Sequence, residues 1–207
     1  MMLALDHIVL VAATLDEGAA YIKEKLGVDV PEGGEHLAMG THNRVMGLGN
    51  DVYLEIIAIA PHLDAPDRPR WFGMDDIPDE PVLRTWVART NDIYSLAAES
   101  TAQMGMIVPM SRGELEWEIA IRDDGSMPLD GLFPTLIEWP EGEHPSQNMA
   151  DLGCTLKRLR VHTPTPAETR THLHSVGADR LVQVIPSDED AYLSAQIMTP
   201  KGLVTLT

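Results

Sequence analysis

Three residues capable of acid–base or metal chemistry interrupt apolar, strand-like segments of the chain. His7 lies in LDHIVLVA, Glu55 in VYLEII and Glu138 in TLIEWP. A carboxylate in such a segment is costly to bury unless it is paired, protonated or bound to a metal. A lone strand histidine is more often structural than functional, so the chemistry depends on whether the fold brings the three together.

The elements that carry these residues occur twice, which indicates an internal duplication. Residues 1–62 show a strand, a helix and further strands, and residues 82–150 repeat this order after a proline-rich segment, residues 63–81. Four residue pairs recur at one offset of 78 positions: Leu5 and Leu83, Gly27 and Gly105, Val30 and Val108, and Pro31 and Pro109. We therefore predict two βαβββ modules whose helices end at the two glycines, joined by a linker that crosses the surface.

Residues 151–207 repeat the order once more and predict a third, shorter βαβββ-like module. Its helix begins with an N-cap, a proline and a carboxylate at Thr165, Pro166 and Glu168. A single module leaves a sheet edge and one face uncovered, whereas two modules can cover each other. The third must pack on the pair or on another chain, so we expect a homodimer. The predicted fold class is α+β, with all modules in one compact unit.

Packing the first two modules about a local twofold axis brings equivalent positions to one cleft. His7 and Glu55 come from the first half, and Thr85 and Glu138 from the second. The duplication therefore predicts two carboxylate partners for His7, Glu55 and Glu138.

Several segments together resemble the vicinal oxygen chelate superfamily, and most of all its glyoxalase-like domain branch, of the glyoxalase, bleomycin resistance and dioxygenase type. They are LDHIVLV, GGEHLAMGTHN, YLEIIA, LFPTLIEWPEGEHP and GCTLKRLRVHTPTP, which are spread over nearly the whole chain. The resemblance implies that the paired modules form a half-open barrel. It does not fix an activity, because one fold hosts many reactions.

In metal-dependent relatives such as glyoxalase I, each half supplies one ligand from its first strand and one glutamate from its last. The resemblance thus implies His7, Glu55 and Glu138 as ligands of Zn, Ni, Co or Mn, with Glu55 and Glu138 as the catalytic residues. The fourth position is Thr85, an unlikely ligand. One histidine in place, where dioxygenase relatives have two, disfavours an extradiol dioxygenase.

Two functions stay open at this point. The first is a divalent-metal-dependent lyase or isomerase acting on a small oxygenated metabolite, with the metal as Lewis acid and a glutamate as general base. The second is a metal-free protein that binds a small molecule in the same cleft, as the antibiotic-sequestering relatives do.

Seven side chains are candidates for contacting the substrate: His42, Asn43, Thr85, Trp86, Arg112, Trp117 and His144. Each has an ordinary alternative. The GTHN segment suits a turn whose polar side chains satisfy the backbone, strand tryptophans are more often core residues, and exposed arginines and loop histidines are common.

Composition narrows the partners and the compartment. The net charge of −17 argues against nucleic acid and anionic membranes as partners, because phosphate binding needs a basic surface. No apolar run approaches the roughly 20 residues of a membrane span, and the N-terminal segment lacks the features of a signal peptide. The single cysteine, Cys154, cannot form an internal disulfide, so we expect a cytoplasmic protein.

Overall fold

The structure is a computed structural model that describes residues 2–77, 79–142 and 144–207. The first module contains β1 (Leu3–Val11), α1 (Leu15–Leu26), β2 (Glu32–His36), β3 (Thr41–Gly47) and β4 (Tyr53–Ile59). The second contains β5 (Val82–Thr90), α2 (Ile93–Glu99), β6 (Met106–Arg112), β7 (Leu115–Ile121) and β8 (Thr135–Glu138). The third contains β9 (Thr155–Thr163), α3 (Pro166–Ser175), β10 (Gln183–Pro186), β11 (Tyr192–Thr199) and β12 (Gly202–Leu206).

The helices begin at polar caps, but one of them ends earlier than predicted. The Thr14 hydroxyl accepts a hydrogen bond from the backbone N–H of Glu17, and α1 ends at Gly27 in the left-handed conformation. Helix α2 stops at Glu99, and Gly105 instead lies in the loop before β6. In the described part of the chain, no helix has the length and apolar character needed to cross a membrane.

The first two modules share one eight-stranded sheet with the order β2-β3-β4-β1-β5-β8-β7-β6. Strands β1 and β5 pair antiparallel at its centre, and each pairs in parallel with the last strand of its own module. Ile8 lies opposite Trp86 in this central pair. These residues are related by the 78-residue offset, so the local twofold axis passes between them. The edge strands β2 and β6 approach each other, which makes the sheet a nearly closed barrel and confirms the predicted α+β fold.

Each strand presents alternate residues to two different cores. The outer face packs against the helices through residues such as Ile8, Leu54 and Leu136. The inner face, which we call the concave face, carries residues such as Val9 and Ile137. His7 and Glu55 lie on the concave face because they alternate with Ile8 and Leu54.

The segment between the two modules is not the surface linker that we expected. Trp71, Phe72 and Met74 are buried and belong to the core of the concave face. Phe72 has a left-handed backbone conformation (φ 57°), which is unusual for a bulky residue and sharpens the turn there. The segment therefore closes the open side of the barrel over the cleft.

The third module follows the predicted order of elements but pairs its strands differently. Its four-stranded sheet has the order β10-β9-β11-β12, so the first strand pairs in parallel with the strand directly after the helix. In the first two modules that partner is the last strand. The third sheet packs on the outer face of the barrel, where Leu159, Val161 and Leu193 join the helix-side core.

Candidate active site

A small cavity lies on the concave face, at the level of His7 and Glu55. Its wall also contains His36, Tyr53 and Arg112, and aromatic side chains enclose it: Trp71, Phe72, Trp117 and Trp139. The free space is about 20 Å³, room for about one water molecule. Trp117 and Trp139 also border a larger groove of about 500 Å³ on their other side. The cavity is therefore closed in this conformation, and a metabolite can enter only if an aromatic side chain moves.

An ordered row of charged groups, Asp6–His7–Glu55, forms one wall of the cavity. His7 Nδ1 donates to Asp6 Oδ1 at 2.6 Å, and His7 Nε2 lies 3.5 Å from Glu55 Oε2. The other oxygen of Asp6 accepts hydrogen bonds from the Trp139 indole at 2.9 Å and from His144 Nε2 at 2.8 Å. The β1–β5 register slips between Leu5 and His7. This bulge lets Asp6 and His7, although adjacent, join one network.

The charges in this row stabilise one another strongly. Burial alone would lower the pKa of His7, but Asp6 and Glu55 outweigh it and raise that pKa to about 9. Burial likewise opposes ionisation of Glu55, yet His7 and Asn43 lower its pKa to about 2. The pKa of Asp6 is also lowered, since the hydrogen bonds from His144 and His7 overcome its burial. At neutral pH the row is carboxylate, imidazolium, carboxylate.

Two further residues hold Glu55 from the opposite side. Asn43 Nδ2 donates to Glu55 Oε1 at 2.5 Å, while Asn43 Oδ1 accepts from the backbone N–H of Gly34 at 3.0 Å. His36 Nε2 lies 3.9 Å from Glu55 Oε1, and its Nδ1 is within hydrogen-bond distance of the Thr41 hydroxyl at 3.1 Å. Burial lowers the pKa of His36 to about 4, so it is neutral beside the charged row.

The structure does not bring Glu138 to His7 and Glu55. Ile137 points to the concave face, so Glu138, one residue later, points the other way. Its carboxylate accepts a hydrogen bond from the backbone N–H of Ile93, at the start of α2, at 2.7 Å. The fourth predicted corner, Thr85, donates to the carbonyl of Gly131.

The predicted metal ligands therefore do not form a ligand set. Within residues 2–77, 79–142 and 144–207, no group of three or more His, Cys, Asp or Glu side chains is arranged to hold a metal ion. A divalent ion bound by His7, Glu55 and Glu138 does not fit this arrangement, because Glu138 is engaged at the start of α2.

The other predicted site residues divide into two groups. Asn43, Arg112 and Trp117 contact the cavity or its carboxylate, and His144 reaches the charged row through Asp6. Trp86 is fully buried in the helix-side core, where its indole N–H donates to the carbonyl of Leu132. His42 lies away from the cavity, near His62, in a groove on the outside of the barrel.

The predicted set of site residues did not include six residues that line the cavity or join its charged row: Asp6, His36, Tyr53, Trp71, Phe72 and Trp139. Asp6 carried a usable signal, since it is a second ionisable residue in the same apolar strand as His7. Tyr53, which stacks on the His7 ring at 4.5 Å, lies two residues before Glu55 and so shares its face. Trp71 and Phe72 carried none, because the segment around them has no periodicity.

The paired βαβββ modules, the parallel pairing of first and last strands and the central cavity define a protein of the vicinal oxygen chelate superfamily. Residues 5–177 match the model of the family described as "Glyoxalase-like domain", and the chain belongs to that family. No curated protein matches the sequence significantly.

Solved structures share this fold at low identity. A hypothetical protein from Staphylococcus aureus has a TM-score of 0.62 at 14% identity, covering 99% of this chain and 84% of that one. A mutant of 4-hydroxymandelate synthase from Streptomyces coelicolor has a TM-score of 0.53 at 14% identity, covering 98% and 61%. A methylmalonyl-CoA epimerase from Streptomyces coelicolor has a TM-score of 0.44 at 15% identity, covering 70% and 100%. At such identities the first two structures, whose TM-scores exceed 0.5, show the fold alone.

Proposed function

We propose that this protein is a glyoxalase-like enzyme of the lyase or isomerase kind, which moves a proton on a small oxygenated metabolite. The observation that carries the proposal is the Asp6–His7–Glu55 row on the cavity wall. It places an ionised carboxylate directly beside an imidazolium, with His7 Nε2 3.5 Å from Glu55 Oε2. A carboxylate can accept a proton, and a neighbouring cation can stabilise the negative charge that then develops.

The proposed step needs only groups of this chain. A Glu55 oxygen takes the proton from a carbon next to a carbonyl, and the electron pair of that C–H bond moves onto the carbonyl oxygen. The His7 imidazolium stabilises the resulting enolate oxygen. Glu55 then returns the proton to the same carbon, on either face, and the carbonyl re-forms, which gives exchange or epimerisation without net oxidation. Asp6 holds His7 in place through its Nδ1–H.

The metal-dependent form of this function has weaker support. The ligand set implied by the family lacks Glu138, whose carboxylate accepts a hydrogen bond from the backbone N–H of Ile93. We expect the purified protein to retain less than stoichiometric metal after incubation with Zn, Ni, Co or Mn salts, measured by inductively coupled plasma mass spectrometry. One equivalent of metal that is lost in Glu55→Gln would overturn this metal-free form.

A second candidate, the metal-free binding protein, is favoured by one specific observation. The pKa of Glu55 is lowered to about 2 by its partners, whereas an efficient general base has a pKa near the working pH. As an enzyme, the protein therefore needs its substrate to weaken the contacts of Glu55 with His7 or Asn43. As a binding protein, it needs no such change.

Deuterium exchange separates the two candidates. The protein is incubated in D₂O with hydroxyacetone, glycolaldehyde, pyruvate and lactate, and loss of each C–H signal is followed by proton NMR. The enzyme is expected to accelerate exchange of at least one compound, and Glu55→Gln to abolish the acceleration while leaving the compound bound. Glu99→Gln, which changes an exposed glutamate at the end of α2, is the control. Binding without exchange in the wild type would support the binding protein instead.

A further inference from the structure

Two tryptophans that line the cavity have indole donors without an acceptor among the described residues. The indole nitrogens of Trp71 and Trp117 are buried, and neither has a hydrogen-bond partner among the described residues. Both side chains line the cavity, and they are only 4% and 7% exposed. A buried N–H without an acceptor is costly, so an acceptor in the cavity would relieve the cost twice.

The other two tryptophans provide an internal comparison. Trp86 donates to the carbonyl of Leu132 at 3.0 Å, and Trp139 donates to Asp6 Oδ2 at 2.9 Å. The two indole donors without a partner among the described residues therefore belong to side chains that line the same cavity.

A cationic side chain in the cavity wall also lacks a carboxylate partner. The arginine ion pairs of the described residues involve Arg44, Arg70, Arg89 and Arg122, and none includes Arg112. The Arg112 guanidinium lies close enough to His36 for its charge to help keep that ring neutral. The negative charge of Glu55, in contrast, is already shared by His7 and Asn43.

We propose that the cavity, once an aromatic side chain of its wall has moved to enlarge it, binds a small organic carboxylate, whose oxygens accept hydrogen bonds from Trp71, Trp117 and Arg112. A carboxylate has two acceptor oxygens and one negative charge, which matches two orphan N–H donors and one unpaired guanidinium. The apolar remainder of the wall, including Phe72 and Ile137, suits the carbon part of such a molecule better than an inorganic anion. This inference names the substrate class of the proposed enzyme and rests on that function only for what happens after binding.

The indole resonances of ¹⁵N-labelled protein test the proposal directly. The protein is titrated with pyruvate, with its neutral analogue hydroxyacetone and with inorganic phosphate. Pyruvate is expected to shift the indole N–H signals of Trp71 and Trp117 and to leave those of Trp86 and Trp139 in place. Hydroxyacetone and phosphate are expected to bind at least about tenfold more weakly, since each lacks one of the matched features. Assignments come from single Trp→Phe variants.

Two variants test the role of the guanidinium. Arg112→Gln should weaken pyruvate binding by about 10- to 100-fold, the loss typical of a hydrogen bond to a charged group. Arg158→Gln, which changes an exposed arginine on β9, should leave it unchanged. Equal binding of hydroxyacetone and pyruvate, equal binding of phosphate, or shifts in all four indole signals would overturn the proposal.

The outcome is separable from that of the proposed function. If pyruvate binds with the expected indole shifts but its exchange is not catalysed, the carboxylate site is supported and the enzyme function is contradicted. If exchange of hydroxyacetone is catalysed but pyruvate causes no indole shifts, the enzyme function is supported and the carboxylate site is contradicted.

Discussion

Replacing Asp6 by Asn removes the buried charge that holds His7 protonated. In the wild type the pKa of His7 is raised to about 9 from its usual 6.5. At about 1.4 kcal/mol per pH unit, this difference corresponds to about 3 kcal/mol of stability. Because the pKa in the folded state is the higher one, this stability is fully present below pH 6.5. It is lost as the pH rises from 6.5 through 9. Asp6→Asn should lower the pKa of His7, so that the stability of the variant depends less on pH over this range.

The assay is urea unfolding of both proteins at pH 6 and pH 9.5. From pH 6 to pH 9.5, the free energy of unfolding of the wild type should fall by about 3 kcal/mol more than that of Asp6→Asn. Groups that titrate elsewhere affect both proteins equally and cancel in this comparison. At pH 6 the variant should be about 3–5 kcal/mol less stable, as expected when one partner of a buried ion pair is removed. Asp190→Asn, at an exposed position, should stay within about 0.5 kcal/mol of the wild type. The same pH dependence in wild type and Asp6→Asn would refute the charged row.

Three further predictions concern other parts of the molecule. Glu138→Ala should lower the free energy of unfolding in urea by about 1 kcal/mol, because the backbone N–H of Ile93 loses its acceptor. The variant should catalyse deuterium exchange at the wild-type rate. Loss of exchange would instead show that Glu138 belongs to the active site. The pKa of His36 is lowered to about 4, so the wild type should lose up to about 3 kcal/mol as the pH falls from 6.5 to 4. His36→Asn should be less acid-sensitive, and an equal acid loss would contradict the neutral, buried ring. We also expect light scattering to show a homodimer whose interface covers the exposed cross-strand pair Met198 and Leu203. Leu203→Glu should then be monomeric. A monomeric wild type would contradict the predicted dimer.

The duplication made the fold predictable from the sequence, and it also predicted that His7 and Glu55 lie together. The 78-residue offset placed His7 and Thr85 on paired central strands, and the apolar strand around Glu55 placed that residue beside His7. Glu138 was expected on the concave face, but the structure places it on the other face. Side chains alternate along a strand, so an error of one residue in the predicted register moves every side chain of that strand to the opposite face. Strand β8 has only four residues, too few to reveal its inward face.

The remaining parts of the site depend on irregular backbone that no periodic pattern records. The bulge at Asp6 turns a second carboxylate toward His7, and the left-handed Phe72 directs the segment after the first module into the barrel. A left-handed conformation is unusual for a bulky residue such as Phe72, so the residue type does not predict it. The sequence therefore identified which ionisable residues were unusual but not which of them would meet.

The cost of the charged row argues that it has a function beyond holding the fold together. Taking Asp6, His7 and Glu55 out of water is expensive, and apolar residues of similar volume would often stabilise such a core equally well or better. Every polar atom of Asp6 and Glu55 nonetheless has a partner, from Trp139 and His144 on one side to Asn43 on the other. Among the residues that the structure describes, Trp71 and Trp117 at the cavity have no acceptor for their indole N–H groups. A core built for stability alone would give Trp71 and Trp117 acceptors before it buried three charged groups, and the proposed carboxylate site accounts for both features.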